Sequence, residues 1–261
     1  MQLAQHQFFI RTSNIIYIFY SAIILFMSRK LFWSGITVVV VISIAAGLLY
    51  LYWENRPTSI RATQVFIWLK NPASHPEWKI QAGVHCNNAP FAFPTTGMVG
   101  FLWGDTIQFG ARHQGIDIFS GTDIGITRVT AAYGGYLTRL ANWKSSVIER
   151  VPNDPLHPER QIWIYYTHMA DANGNSFISS EFPAGTSEKQ IAMGTFLGYM
   201  GDYSGDPNSP VGVHLHISID KDDDGHFMNE LNIENTYDPS PYFAMELNAD
   251  VNKVQIPTCT H

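Results

Sequence analysis

VGVHLHISID, residues 211–220, places two histidines on either side of one leucine. Side chains of a β-strand alternate between its two faces, so the pattern predicts a strand with one face on a core. The core face would carry Val213, Leu215, Ile217 and Ile219. The opposite face would carry His214, His216, Ser218 and Asp220. Both imidazoles then point to one side, about 7 Å apart along the strand. A solvent-facing polar strand fits the same pattern, so partners elsewhere in the chain must distinguish the two.

Two other segments supply such partners. ARHQGIDIFSG, residues 111–121, carries His113 and Asp117, and their even separation places them on one face of a strand. QIWIYYTHMAD, residues 161–171, ends a strand-like run in His168. Strand alternation there puts on one face Ile162, Ile164, Tyr166 and His168. We therefore expect the five polar residues, four histidines and one aspartate, to point from neighbouring strands into one groove.

Histidine and carboxylate side chains are the ligands of hydrolytic zinc sites, which use three protein ligands and keep a fourth position open. The bound ion polarises the scissile carbonyl and lowers the pKa of water. Two further histidines, neutral near pH 7, can accept a proton and stabilise a developing oxyanion. The residue types therefore indicate metal-assisted hydrolysis.

Taken together, H-x-x-x-D, an isolated Tyr-x-His and a later H-x-H resemble the M23 family of zinc metallopeptidases, the lysostaphin-like or LytM-like endopeptidases. The resemblance covers roughly residues 91–220, in the order of the family. The matching blocks are HQGIDIFSGT (113–122), YYTHM (165–169), AMGTFLGYMGDYSG (192–205) and VHLHISI (213–219).

The resemblance implies a mostly β fold, an antiparallel β-sheet core with the site in a narrow groove. It implies one zinc ion per chain, held by His113, Asp117 and His216. It also implies that His168 and His214 are catalytic histidines that do not bind the metal. The substrate implied is the peptide cross-link of peptidoglycan. In one departure from the family, Ser218 stands where glutamate is frequent, so we expect the support of the metal ligands to differ.

Two other functions remain open. One is a peptidase that acts on a protein or an exported peptide, and the other is a non-catalytic relative that regulates wall hydrolases. HExxH, a Gly-rich phosphate loop and G-x-S-x-G do not occur in the sequence, so several other enzyme classes are disfavoured. DKDDDG, residues 220–225, begins like a calcium loop but lacks its terminal glutamate, and we interpret it as an acidic turn.

Residues 31–53 contain no charged side chain and are long enough to span a bilayer as a helix. Arg29 and Lys30 precede them, which predicts a cytoplasmic N-terminal side and an extracytoplasmic remainder. We therefore predict a single-pass cell-membrane protein. A cleaved signal peptide is the alternative. Residues 8–28 are also apolar, but a start at Met27 would explain them better than a second span.

The remainder of the chain, after residue 53, carries 13 basic and 22 acidic residues, a formal charge of −9. This balance argues against nucleic acid as a partner, because phosphate binding needs clustered Lys and Arg. The two cysteines, Cys86 and Cys259, lie near the ends of that part and could form a disulfide.

The domain organisation that we predict has five parts, and the peptidase domain is the fourth. Between the span and that domain we expect one or two strands interrupted by Pro72 and Pro76. The predicted parts are an N-terminal extension (1–30), the span (31–53), a juxtamembrane segment (54–90), the peptidase domain (91–247) and a C-terminal tail (248–261).

Overall fold

The computed structural model describes residues 33–52, 58–107 and 110–259. The chain divides into two compact units, Met1–Glu54 and Asn55–His261. The described residues of the first unit form one helix, Trp33–Tyr52, of 20 residues, whose 18-residue window has a mean hydropathy of 2.3. Such a helix is about 30 Å long, which matches the hydrocarbon core of a bilayer. A signal sequence would have the same properties, and the apolar segment 8–28 lies outside the described residues.

The second unit is built on antiparallel strands, as predicted. The strands are β1 (Met98–Phe101), β2 (Ile116–Phe119), β3 (Arg128–Thr130), β4 (Gly135–Thr138), β5 (Val147–Val151), β6 (Ile162–Thr167), β7 (Lys189–Ile191), β8 (Phe196–Tyr199), β9 (His214–Asp223) and β10 (His226–Phe227). The main sheet has the order β1-β2-β9-β6-β5-β4-β7, with β10 paired to β9, and β3 and β8 form a separate pair. All of these described strand pairs are antiparallel.

One face of the main sheet covers the principal hydrophobic core. The predicted apolar face of β9 lies there: Leu215, Ile217 and Ile219 are buried, and Val213 packs against the core from just before the strand. The opposite face of β9 carries the polar residues. The alternation in the central sequence motif was therefore interpreted correctly. A short helix, Ser240–Phe243, closes the core with the buried rings of Tyr242 and Phe243.

The prediction of strands before Pro72 was wrong, because residues 58–70 form a helix of more than three turns. Arg61, Val65 and Trp68 are its buried residues, and their spacing follows the helical period. The β-branched and aromatic residues of this segment suggested strands, but packing of one helical face decided its structure. Proline ends the helix and opens the short 3₁₀ helices that follow. The described 3₁₀ helices are Pro72–Ser74, Pro76–Trp78 and Ile233–Asn235.

The helix 58–70 and the C-terminal segment are packed into the β domain. The Arg61 guanidinium forms a buried ion pair with Asp105, at 2.9 Å, and donates to the carbonyl of Asn252. Cys86 and Cys259 form the disulfide that their positions suggested, and it links residues 173 apart in the sequence. The compact unit thus extends beyond the predicted boundaries of the peptidase domain, 91 and 247, at both ends.

Candidate metal centre

The register of three adjacent strands brings the site together. Asp117 on β2 lies directly opposite His216 on β9, and His216 in turn lies opposite Thr167 on β6. Because these side chains alternate with core residues, they leave the sheet on the face away from the hydrophobic core.

His113 reaches the same place from a loop, and the strand predicted to carry both His113 and Asp117 begins only at Ile116. Gly115 makes this approach possible, because a Cβ at Gly115 would lie 2.1 Å from the carbonyl oxygen of Ile217. Any side chain there would push the loop away from β9. The glycine therefore lets His113 lie against His216 without a continuous strand.

Three atoms that could bind a metal, one each from His113, Asp117 and His216, lie close together. The Nε2 atom of His113 lies 3.1 Å from Oδ1 of Asp117 and 3.0 Å from Nδ1 of His216, and the last two atoms are 2.9 Å apart. His113 Nδ1 lies 3.0 Å from the carbonyl oxygen of Leu102, which fixes the proton there and leaves Nε2 with its lone pair. His216 Nε2 faces Oε2 of Glu230 at 3.4 Å, which leaves Nδ1 with its lone pair.

Three lone pairs that face one another repel, unless a cation or a shared proton lies between them. The site therefore fits a metal ion on the chemistry of its donors, and two nitrogens and one carboxylate oxygen are a suitable set for zinc. Around zinc at its usual bond lengths such atoms would lie about 3.3 Å apart, close to the separations here. His113, Asp117 and His216 are the described residues that form such a group.

The electrostatics of the site point the same way. Burial would lower the pKa of His216, but its contacts with the carboxylates of Asp117 and Glu230 outweigh burial and raise the pKa to about 10, so near pH 7 a proton on Nδ1 takes the place of a cation whenever none is bound. Burial would raise the pKa of Asp117, but its contacts with the imidazole rings of His113, His214 and His216 hold it well below its usual range. The centre thus favours a bound positive charge.

His168 enters the groove through a break in the strand pattern. The predicted row placed it on one face with Ile162, Ile164 and Tyr166, but these three are buried in the core. Strand β6 ends at Thr167, and His168 has a φ of 71°, in the left-handed region. This turn reverses the direction of the side chain and brings it to the groove. The position of His168 was predicted, but the reason given for it was wrong.

His168 and His214 form a pair beside the three candidate metal ligands. Their ring centroids are 4.5 Å apart. The Nδ1 of His168 donates to the carbonyl of Tyr203 at 2.7 Å, and that of His214 donates to the carbonyl of Gly212 at 2.6 Å. Both Nε2 atoms keep a lone pair. Burial is the main reason why the pKa of His168 falls to about 3 and why that of His214 is lowered, so both rings are neutral near pH 7.

Sequence reasoning missed the groups that orient these rings. Glu230 follows the hairpin β9–β10, and its Oε2 also accepts from the hydroxyl of Ser218 at 3.1 Å. The sequence pointed to Glu230 only indirectly, because Ser218 stands where glutamate is frequent in the family that the sequence resembles. Backbone carbonyls such as that of Leu102 leave no trace in a sequence.

The acidic residues after Asp220 continue strand β9 as far as Asp223 and then turn into β10. Asp220 is buried and accepts from Ser218, while the carboxylate of Asp222 accepts from Gln161, Trp163 and the backbone of Gly225. The turn is held by these hydrogen bonds.

Comparisons with known proteins give a distant likeness. No family model and no curated protein sequence matches the chain. Among solved structures, the catalytic domain of the antimicrobial peptidase lysostaphin from Staphylococcus simulans is 16% identical, with a TM-score of 0.36 over 62% of this chain and 99% of that one. A second structure of lysostaphin from the same organism is also 16% identical, with a TM-score of 0.35 over 63% of this chain and 55% of that one.

LytU is 18% identical, with a TM-score of 0.34 over 60% of this chain and 85% of that one. A mutant catalytic domain of EnpA, a prophage-encoded M23 protein from Enterococcus faecalis, is 19% identical, with a TM-score of 0.33 over 57% of this chain and 95% of that one. The structural neighbours are thus M23 and lysostaphin-like peptidases at low identity. Likenesses of this degree carry no functional conclusion, which has to come from the site.

Proposed function

We propose that this chain is a zinc metallo-endopeptidase that hydrolyses peptide bonds, foremost in the cross-links of peptidoglycan. The convergence of three lone pairs, from His113, Asp117 and His216, carries the proposal. Zinc bound there would polarise the scissile carbonyl and lower the pKa of water. The M23-like motifs of the sequence support the same chemistry and supply the substrate class.

His168 and His214 are the residues that move protons in this proposal. Each ring is neutral and keeps a lone pair on Nε2, and that of His214 lies 3.5 Å from Oδ1 of Asp117, at the centre itself, so each can accept a proton and later donate it to the leaving amine. A protonated ring can also donate a hydrogen bond to the oxyanion that forms at the carbonyl. The burial that lowers their pKa values keeps both rings ready as bases.

We also propose that the helix Trp33–Tyr52 anchors the protein in the cell membrane, with the β domain outside the cytoplasm. Arg29 and Lys30 before the helix support that orientation. The disulfide between Cys86 and Cys259 supports it independently, because such bonds persist mainly in oxidising compartments.

The decisive experiment measures zinc content and wall digestion on the full-length protein in detergent. We expect about one zinc per chain, and fragments released from purified sacculi identify the bond by mass. His113→Ala and Asp117→Ala should lose zinc and activity together. His168→Ala and His214→Ala should keep zinc and lose about 10²–10⁴-fold in rate. His226→Ala, an exposed histidine outside the groove, is the control.

Two results would change the proposal. If His214→Ala also emptied the site, the division between ligands and catalytic histidines would be wrong. If the zinc-loaded wild type released nothing from any wall, peptidoglycan would be excluded, and a protein or peptide substrate, or a regulatory role, would replace it.

A further inference from the structure

The groove that contains the metal centre has two walls of different chemistry. Its volume is about 1020 Å³, large enough for several residues of a substrate. One wall is rich in hydroxyl groups. The Tyr165 hydroxyl donates to Ser146 at 2.8 Å, and Ser146 and Thr167 share a hydrogen bond of 2.7 Å.

The opposite wall comes largely from the helix 58–70 and is apolar beyond Thr58 and Ser59, which lie at the start of the helix. That helix contributes Ala62, Val65 and Leu69 to the lining, and strands β1 and β2 contribute Phe101 and Phe119. Leu69 is 39% exposed. The helix therefore leaves apolar surface open to the groove, where a side chain of the substrate could cover it.

Several contacts fix this wall in position. Trp68 is fully buried and donates its Nε1 proton to the carbonyl of Phe119 at 2.9 Å. Val65 lies so close to β1 that a Cβ at Gly100 would be 2.5 Å from its Cγ2 atom. With the buried pair of Arg61 and Asp105, these contacts hold the helix at both ends of its buried face.

The apolar wall begins at the catalytic centre. Phe119 lies opposite His214 in the sheet, and the two rings stack with centroids 4.9 Å apart and an interplanar angle of 26°. The ring of Phe101 packs edge-on against Phe119, with centroids 6.0 Å apart. A substrate whose scissile bond lies beside His214 would place a neighbouring side chain against these rings.

We infer that the helix 58–70, with Phe101 and Phe119, forms a specificity subsite for a bulky apolar side chain next to the scissile bond. The inference rests on the proposed function, because it needs a peptide bond placed at the metal centre. The subsite selects by the apolar area that it covers, since each methylene that enters such a pocket changes selectivity by about 10-fold or more. The hydroxyl wall opposite is left for the polar backbone of the substrate.

The test uses hydroxamates, which bind zinc directly and need no knowledge of the scissile bond. Leucine and glycine hydroxamates are compared in two series. In one series the amino acid lies on the carbonyl side of the hydroxamate and in the other on its nitrogen side, so the two extend from the metal in opposite directions along the groove. Their affinity for the zinc-loaded, full-length protein is measured by calorimetry. In one series, the wild type should bind the leucine compound at least about 10-fold more tightly than the glycine compound.

Two variants change the apolar wall, and a third variant is the matched control. Ala62→Trp fills the subsite and Leu69→Ser removes apolar surface, so each should reduce the preference for leucine to less than about 3-fold. Thr63→Trp adds the same ring at an exposed position of the helix outside the groove, and it should keep the wild-type preference.

The outcomes test the subsite and the peptidase proposal separately. If hydroxamates bind but leucine has no advantage in either series, or if Thr63→Trp abolishes the preference as fully as Ala62→Trp, the subsite is overturned and the peptidase proposal stands. If neither compound binds the protein with zinc present, the metal centre is not open to a substrate, and both proposals fail.

Discussion

The four histidines of the site show how the partner of one ring nitrogen determines the use of the other. Three of them donate the Nδ1 proton to a backbone carbonyl and present Nε2. His216 differs, because its Nε2 faces the carboxylate of Glu230 and its Nδ1 faces the other donors. A carboxylate behind a ligand imidazole fixes the ring and raises its basicity.

Replacement of Glu230 by glutamine is expected to weaken zinc binding by about 10–100-fold, the usual effect of losing such a partner. The amide has a similar size, so the loop should keep its place while His216 loses a charged acceptor. Zinc affinity is measured by competition with a chelator of known affinity. Glu234→Gln, at an exposed position in the 3₁₀ helix Ile233–Asn235, is the control. An unchanged affinity in Glu230→Gln would show that Glu230 has no part in holding the ligand.

Glu149 is a second notable residue, because it is fully buried and forms no ion pair with any residue that the structure describes. Its Oε2 accepts from the hydroxyl of Tyr166 at 2.9 Å, and its Oε1 has no hydrogen-bond partner. Burial raises the pKa of Glu149 from its ordinary value of 4.5 to about 7. Between these pH values the unfolded chain loses this proton while the folded chain keeps it. The stability contributed by Glu149 therefore falls as pH rises through this window.

The variant Glu149→Gln should become more stable relative to the wild type as pH rises. At about 1.4 kcal/mol per pH unit, the gain across the window is about 3 kcal/mol. Thermal midpoints of both proteins are measured from pH 4 to pH 8, and the difference between them removes the titration of all other groups. Glu159→Gln, at an exposed position, should track the wild type. A difference that does not change with pH would mean that Glu149 has the same pKa in the folded and the unfolded protein.

At the scale of single elements, sequence periodicity predicted the strand β9 correctly, because its residues alternate between buried apolar and polar. The prediction failed for residues 58–70, where the amino-acid composition favoured strands. The alternation of β9 was enough to place Leu215 and His216 on opposite faces. The helix 58–70 was taken for strands because its valine, phenylalanine, isoleucine and tryptophan favour strands. The spacing of Arg61, Val65 and Trp68 was the pattern that indicated a helix. This pattern was not recognised, because an arginine is not expected in the core unless its ion-pair partner is known.

That partner connects the helix to the metal centre. The Asp105 carboxylate, paired with Arg61, accepts from the backbone of Leu102 at 2.8 Å. The carbonyl of Leu102 accepts from His113, and the backbone of His113 donates to the carbonyl of Asp105 at 2.8 Å. Arg61 of the helix therefore stabilises the turn that orients His113, one of the candidate metal ligands.

Arg61→Met should cost about 3–5 kcal/mol of stability, because it leaves the buried Asp105 charge without a partner. It should also weaken zinc binding by about 10-fold through the loosened turn at Leu102. Denaturant unfolding and chelator competition measure the two effects. Gln64→Ala removes a surface hydrogen bond of the same helix to Val254 and should change neither. Lower stability with unchanged zinc affinity would disconnect the helix from the metal ligand.

At the scale of the whole molecule, the antiparallel sheet and the meeting of the five polar residues were predictable from the order of their motifs. The extent of the compact unit was not, because it depends on contacts between segments far apart in the sequence. The C-terminal segment shows this: it has no periodicity, yet Asn252 is buried against the helix 58–70.

The disulfide between Cys86 and Cys259 should contribute strongly to stability, because it closes a loop of 173 residues. The chain-entropy relation gives about 5 kcal/mol for such a loop. We expect the double variant Cys86→Ser/Cys259→Ser to unfold at a lower denaturant concentration, with zinc present in both samples. A reducing agent should lower the midpoint of the wild type and leave that of the variant unchanged. Equal midpoints for the oxidised wild type and the variant would contradict this contribution.

The place of the helix 58–70 at the edge of the groove gives proteolytic processing two different results. A cut before residue 58 would free a domain that keeps its apolar wall and hence its selectivity. A cut between residue 70 and Cys86 would leave the helix attached only by contacts such as those with Asp105 and Phe119. Once the helix dissociated, the groove would open on the side of His214. Trimming at these two places would therefore yield a selective and a permissive form of the proposed peptidase.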